Sequence, residues 1–134
     1  VIFSYQQDHF PSFPALEVTF ISEQLSLSVG PVSALIDTGT DVTTVPTHLL
    51  EQTQAPFSRS TFVRPHWGER QSVYLYLVDA RVGEWKFPAL EVIADDHADE
   101  ILIGRDLLNK LWIALDGRNQ KTEILERAPQ RRGR

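Results

Sequence analysis

Val32-Ser33-Ala34-Leu35-Ile36-Asp37-Thr38-Gly39-Thr40-Asp41 is an apolar run that stops abruptly on a polar segment holding a glycine. When an apolar strand ends in Asp-Thr-Gly, each residue of the triplet has a physical task. The strand end fixes the Asp37 carboxylate on a rigid element. A hydroxyl at Thr38 can bridge to a partner, and Gly39 lets the backbone turn and another chain approach closely. Taken alone, the triplet is an ordinary Asx-type turn after a strand. A second element, Ile101-Leu102-Ile103-Gly104-Arg105-Asp106-Leu107-Leu108, follows about 65 residues later and changes that reading.

Working outward from Asp37, the flanking segments read as short strands. Leu16, Val18 and Phe20 alternate with Glu17 and Thr19, and Leu25, Leu27 and Val29 alternate with Ser26 and Ser28, which predicts two strands joined at Ser22-Glu23. Gly30-Pro31 reads as the next turn. Beyond the triplet, an apolar patch spans Val42 to Val45, Pro46-Thr47 starts a short helix through Leu50, and Gln52 to Ser60 reads as loop. Ser72 to Asp79 alternates again, and Val82-Gly83-Glu84-Trp85 forms a hairpin tip leading to Phe87 to Ala94. An acidic loop, Asp95 to Glu100, precedes Ile101. Asp106 to Leu111 predicts a helix, and Trp112 to Leu115 pairs with Thr122 to Leu125 around Asp116-Gly117-Arg118-Asn119. Many short strands with about two short helices predict an all-β domain.

The 134 residues suit one ordinary globular domain and exclude a two-lobed enzyme carrying two copies of a fold. The expected division is an extended, aromatic N-terminal arm at 1–14, one folded domain at 15–126, and a solvated, mobile basic tail at 127–134. The net charge is −5, and the tail holds four arginines and no acid, so the body up to Glu126 carries −9. Such a body is a poor binder of nucleic acid. No apolar stretch approaches the ~20 residues that span a bilayer, and no secretory signal is evident, so a soluble, cytoplasmic chain is expected. Cysteine is absent, which excludes disulfides, thiolate metal sites and cysteine nucleophiles. His97 and the acids around it match no metal-binding spacing, so no metal and no cofactor are expected.

Leu35 to Asp41 and Ile103 to Leu108, in that order and at that separation, resemble the retropepsin-like aspartic proteases, the single-domain relatives of the retroviral proteases. The resemblance covers roughly residues 15 to 116, and Leu107 to Leu111 followed by Ala114 to Gly117 looks closest to bacterial or cyanobacterial members. It implies a closed β-barrel of the acid-protease fold with one short C-terminal helix and one lobe per chain. It also implies that Asp37 is catalytic, with Thr38, Gly39 and Thr40 supporting its loop and Thr38 bonding across a dimer axis. Leu102, Ile103 and Gly104 become the apolar-apolar-glycine support beneath that loop. Asp41 and Arg105 become a buried ion pair behind the site, where loss of one member costs roughly 3–5 kcal/mol. A flap between about Thr61 and Tyr76 would carry His66, Trp67 and Gly68 near its tip, although Trp67 reads equally as a packing aromatic.

Peptide hydrolysis without a metal or covalent nucleophile needs a base to activate water and an acid to protonate the other side of the amide. Two carboxyls about 3 Å apart meet both needs, because like charges that close do not both ionise. This chain has a single Asp-Thr-Gly, so the second carboxyl must come from another copy on a two-fold axis. The Thr40 hydroxyl, donating to the Asp37 carboxylate, favours its charged form and predicts an acidic optimum. The expected activity is thus that of an aspartic endopeptidase, acting as a homodimer on peptide or protein substrates. The alternatives are a catalytically silent dimerisation or peptide-binding module of the same fold, and an acidic adaptor that binds partners through its two ends.

Overall fold

The computed structural model describes residues 1–64 and 68–130. The expected all-β architecture is present. Its core is a barrel of six strands: β2 (Ala15–Ser22), β3 (Leu27–Ile36), β8 (Ile101–Ile103), β4 (Thr44–Pro46), β7 (Trp85–Asp95) and β6 (Gln71–Val82), adjacent in that order. Pairing of β2 with β6, from Thr19↔Arg81 to Ile21↔Asp79, closes the ring. The N-terminal half of β6 extends past the barrel and pairs instead with β5 (Phe57–Val63). The inward face of β6 changes along its length, from Leu75 to Val78, Ala80 and Val82, as the strand leaves β5 for β2. A second sheet holds β1 (Ile2–Ser4), β10 (Lys121–Leu125) and β9 (Trp112–Asp116) in that order. The helices α1 (Thr47–Gln52) and α2 (Arg105–Leu108) are short.

Alternation sets the core. Leu16, Val18 and Phe20 of β2 are fully buried while Glu17 between them is exposed. They pack with Ile101 and Ile103 of β8, Val92 of β7 and Leu107 of α2 in one apolar cluster, to which Ile124 of β10 also belongs. Burial of each such side chain stabilises the fold by about 1.5–3 kcal/mol. The second sheet is therefore anchored on the barrel through Ile124, while within that sheet Ile124 N donates to the Val1 carbonyl at 2.8 Å.

Three local expectations are corrected. Gly30-Pro31 is not a turn but a β-bulge inside the continuous ten-residue β3. Val18↔Val32 and Phe20↔Val29 leave Thr19 opposite two residues. Gly30 has φ +125, and a Cβ there would lie 2.7 Å from the Val18 carbonyl oxygen, so the bulge demands glycine. Of the segment Gln52 to Ser60, Gln52 is the last residue of α1 and only Thr53 to Pro56 is loop. Beyond it β5 begins, and its Ser58-Arg59-Ser60 centre buries no face and so carries no period-two signal. The helix expected from Asp106 to Leu111 spans Arg105–Leu108, because Lys110 N and Leu111 N bond three residues back, to Leu107 and Leu108, and tighten the chain into turns.

Candidate active site

Strands β3 and β4 are consecutive around Asp37 yet are not neighbours, because β8 lies between them. The loop 37–43 must therefore cross the end of β8, and the two backbones meet closely there. β8 runs parallel to β3, with Leu35↔Leu102 and Ile36↔Ile103, and Asp37 N donates to the Ile103 carbonyl at 3.1 Å. Ile103 is fully buried and Leu102 partly so. Gly104 has an extended backbone, so its conformation does not demand glycine. Space does: a Cβ would lie 2.9 Å from Thr40 O, 2.9 Å from Val42 C and 3.0 Å from Thr43 N.

Within the loop, both oxygens of the Asp37 carboxylate accept hydrogen bonds. Gly39 N donates to Oδ1 at 3.0 Å and the Thr40 hydroxyl to Oδ2 at 2.7 Å. Thr40 N also donates to Asp37 O at 3.1 Å, which closes the turn. Asp37 is half-buried, and Thr38 and Gly39 are exposed at the loop surface. The carboxylate is thus fixed in direction by its own loop and open on one side.

Helix α2 braces the loop from outside. Arg105 N donates to Thr40 O at 2.9 Å, Asp106 N to Asp41 O at 3.2 Å, and Arg105 Nη1 to Thr38 O at 2.7 Å. The Arg105 guanidinium also pairs with the Asp41 carboxylate. This pair is not buried within the chain, since 44% of the Arg105 side chain and 81% of the Asp41 side chain are exposed. Arg105 begins α2 on the outer side of the loop, where little else covers it. An exposed pair of this kind contributes about 0–1 kcal/mol rather than the cost expected of a buried one.

Two residues that sequence reasoning left without a role tie this assembly together. Thr43, fully buried, donates through its hydroxyl to Asp106 Oδ1 at 2.7 Å and accepts from Gly104 N at 3.1 Å. The Asp106 carboxylate also accepts from Thr43 N at 3.1 Å and Leu107 N at 2.9 Å. Asp106 sits at the start of α2, where an acid already has a helix-dipole explanation, and nothing in the sequence pairs it with a threonine 63 positions earlier.

A groove of about 330 Å³ reaches the loop only at Val42, which lines it with Thr61, Val63, Leu75, Ile93 and Lys110, and Asp37 is not part of its lining. Its β5 wall is tied to β7 by Arg59, whose Nη2 donates to Glu91 Oε1 at 2.9 Å, and by Ser58, whose hydroxyl donates to Glu91 Oε2 at 2.6 Å. The bond from Arg59, aided by the one from Ser58, holds the Glu91 carboxyl below the usual glutamate range. Another cavity, of about 180 Å³ between Glu23, Pro56 and Asp79, is lined by none of the loop residues. Of the expected flap tip, Gly68 adopts φ +99 with open space around it, while His66 and Trp67 lie outside the described residues. Residues 131–134 of the basic tail also lie outside them. Among the described residues no three His, Asp or Glu side chains converge as metal ligands, and no helix is long and apolar enough to cross a membrane.

No protein-family model matches the chain, and no curated protein is found similar to it. Solved structures do match in fold. A retropepsin-like aspartic protease from Rickettsia conorii superposes with a TM-score of 0.60 at 12% identity, over 91% of this chain and 86% of that one. EIAV protease complexed with the inhibitor HBY-793 superposes with a TM-score of 0.51 at 17% identity, over 73% of this chain and 86% of that one. The chain has the retropepsin-like fold.

Proposed function

We propose that the chain is an aspartic endopeptidase that works as a homodimer. The observation that carries this reading is the Asp37 carboxylate at a strand end, each oxygen held by a donor of its own loop, in a retropepsin-like barrel. Two such loops, related by a two-fold axis, bring together Asp37 and the partner's Asp37. One carboxylate takes a proton from a water molecule, whose oxygen attacks the peptide carbonyl carbon. The other, protonated, gives its proton to the carbonyl oxygen. Collapse of the resulting diol breaks the C–N bond, and the nitrogen leaves with a proton from the pair. The pair must hold one proton to start, so the rate falls as rising pH removes it, and the optimum is acidic.

Thr38 and Gly39 are exposed, which suits a loop that meets its symmetry mate, with Thr38 bonding across the axis. The groove beside β5 offers apolar contacts from Val42, Val63 and Leu75 to one side chain of a peptide that reaches past Val42 to Asp37. The β5–β6 hairpin takes the part of the flap, with Gly68 in the segment joining its strands. The test is cleavage of a peptide library by the purified chain. Acid-optimal, pepstatin-sensitive cleavage is expected, and Asp37→Asn should abolish it. A proven dimer that cleaves nothing between about pH 3 and 8 overturns the reading in favour of a silent peptide-binding module.

A further inference from the structure

Between β1 and β2 the chain forms a closed loop to which the reaction proposed above gives no task. Gln6 and Phe13 close it, bonded N to O in both directions at 2.8 and 3.0 Å. Inside it the Ser12 hydroxyl donates to Gln7 Oε1 at 3.0 Å. Two side chains then tie it to distant segments. Gln7 Nε2 donates to Gln120 Oε1 at 2.9 Å, and His9 Nε2 lies 2.6 Å from Glu100 Oε1, 91 positions away. At the tip stands Phe10, which is 101% exposed. A single apolar side chain in water needs no explanation by itself. One that follows directly on a clasped histidine is held ready for a contact, because the cost of ordering it is already met.

The loop lies beside Asp37. The register Ala15↔Leu35 continues as Ile36 N donates to Pro14 O at 2.9 Å, so the chain enters β2 through Phe13 alongside the end of β3. Alternation gives this part of the sheet two faces. Ala34, Ile36, Ile101 and Ile103 enter the barrel core, and Leu35, Leu102 and Asp37 take the opposite face. Ala15 and Leu35 are buried although neither belongs to that core, as is Tyr5 at the foot of the loop. Glu100 continues the face of Leu102, two residues before it, and His9 reaches it there, with the Phe13 ring 5.5 Å from its own. The His9–Glu100 pair thus links the lead into β2 with the lead into β8, the two strands that flank β3. Phe10 is three residues from Phe13, a span of at most about 10–11 Å, or about three residues of an extended peptide.

We propose that the loop Gln6–Phe13 walls the substrate site on the β2 side of Asp37. Phe10 selects the substrate by packing on a large apolar side chain within about three residues of the scissile bond. His9 and Glu100 are positioning residues that hold the loop in place. The proposal rests on the peptidase reading above and adds the class of peptide that the site prefers. With 35% and 44% of its two side chains exposed, the clasp adds little to the stability of the fold, so its loss frees the loop without unfolding the barrel.

The test is a peptide library in which each of the three positions on either side of the scissile bond is set to Phe or Ala. Wild type should prefer Phe at one of them. Phe10→Ala should reduce that preference, measured as a ratio of kcat/KM values, by roughly five- to tenfold, with the loss in KM. His9→Ala should reduce the same preference, and His9→Gln, whose amide donates to Glu100, should restore it. A role in stability alone moves neither the preference nor its rescue. A preference unchanged in both Phe10→Ala and His9→Ala overturns the proposal and leaves the peptidase reading standing. So does a Phe10→Ala chain that keeps the preference while its dimer dissociation constant rises, which assigns the tip to the other copy. Wild type that cleaves no member of the library overturns both.

Discussion

Gly104 explains why a glycine follows Ile103. The loop that carries Asp37 has to pass over the end of β8, and only a residue without a side chain leaves room for the carbonyl of Thr40 and the backbone of Val42 and Thr43. Gly104→Ala should cost about 1–3 kcal/mol by overpacking against backbone that cannot rotate away. Its denaturant midpoint should fall, and a wild-type midpoint would refute the account. The same site shows how far a residue pattern can mislead. Asp41 and Arg105 do pair, but at the surface, whereas the interior polar link between loop and helix is made by Thr43 and Asp106. A charge pattern in sequence identifies partners, and burial depends on what the fold lays over them.

At the scale of elements, the hairpin β5–β6 is held to the barrel at its β5 side by Arg59 and Ser58 on Glu91. Because the folded pKa of Glu91 lies below its unfolded value, this tether contributes stability above the ordinary glutamate range. The contribution is full above that range and declines progressively as pH falls from it through the lower folded value. In the folded chain the Glu91 carboxylate stays charged, and the tether stays made, to a lower pH than an ordinary glutamate allows. In an NMR titration the Glu91 carboxyl should titrate below the usual glutamate value, and Arg59→Ala should move it upward. An unchanged Glu91 titration in that variant would remove Arg59 as the cause. β5 also marks the limit of reading elements from periodicity: an edge strand with no buried face has no alternation to read, whereas β2, buried along one face, was legible in full.

For the whole molecule, the proposed reading, in which one site needs two Asp37 carboxylates, makes activity a property of assembly. Specific activity should fall on dilution below the dimer dissociation constant. Wild-type chains mixed with an equal amount of Asp37→Asn chains and allowed to exchange should keep about a quarter of the dimers fully wild-type, so activity should drop below half. A linear dependence on the wild-type fraction would exclude a shared site. The sequence alone determined the all-β class, the strand that ends in Asp37 and the glycine element behind it, because alternation and strand-end chemistry are local properties of neighbouring residues. Only the tertiary structure decided that β8 passes between β3 and β4, that Asp106 reaches Thr43, that Gly30-Pro31 is a bulge and that β9 keeps an open edge. Those features depend on which distant segments lie side by side, and closure of the barrel by β2 on β6 fixes that for every strand at once.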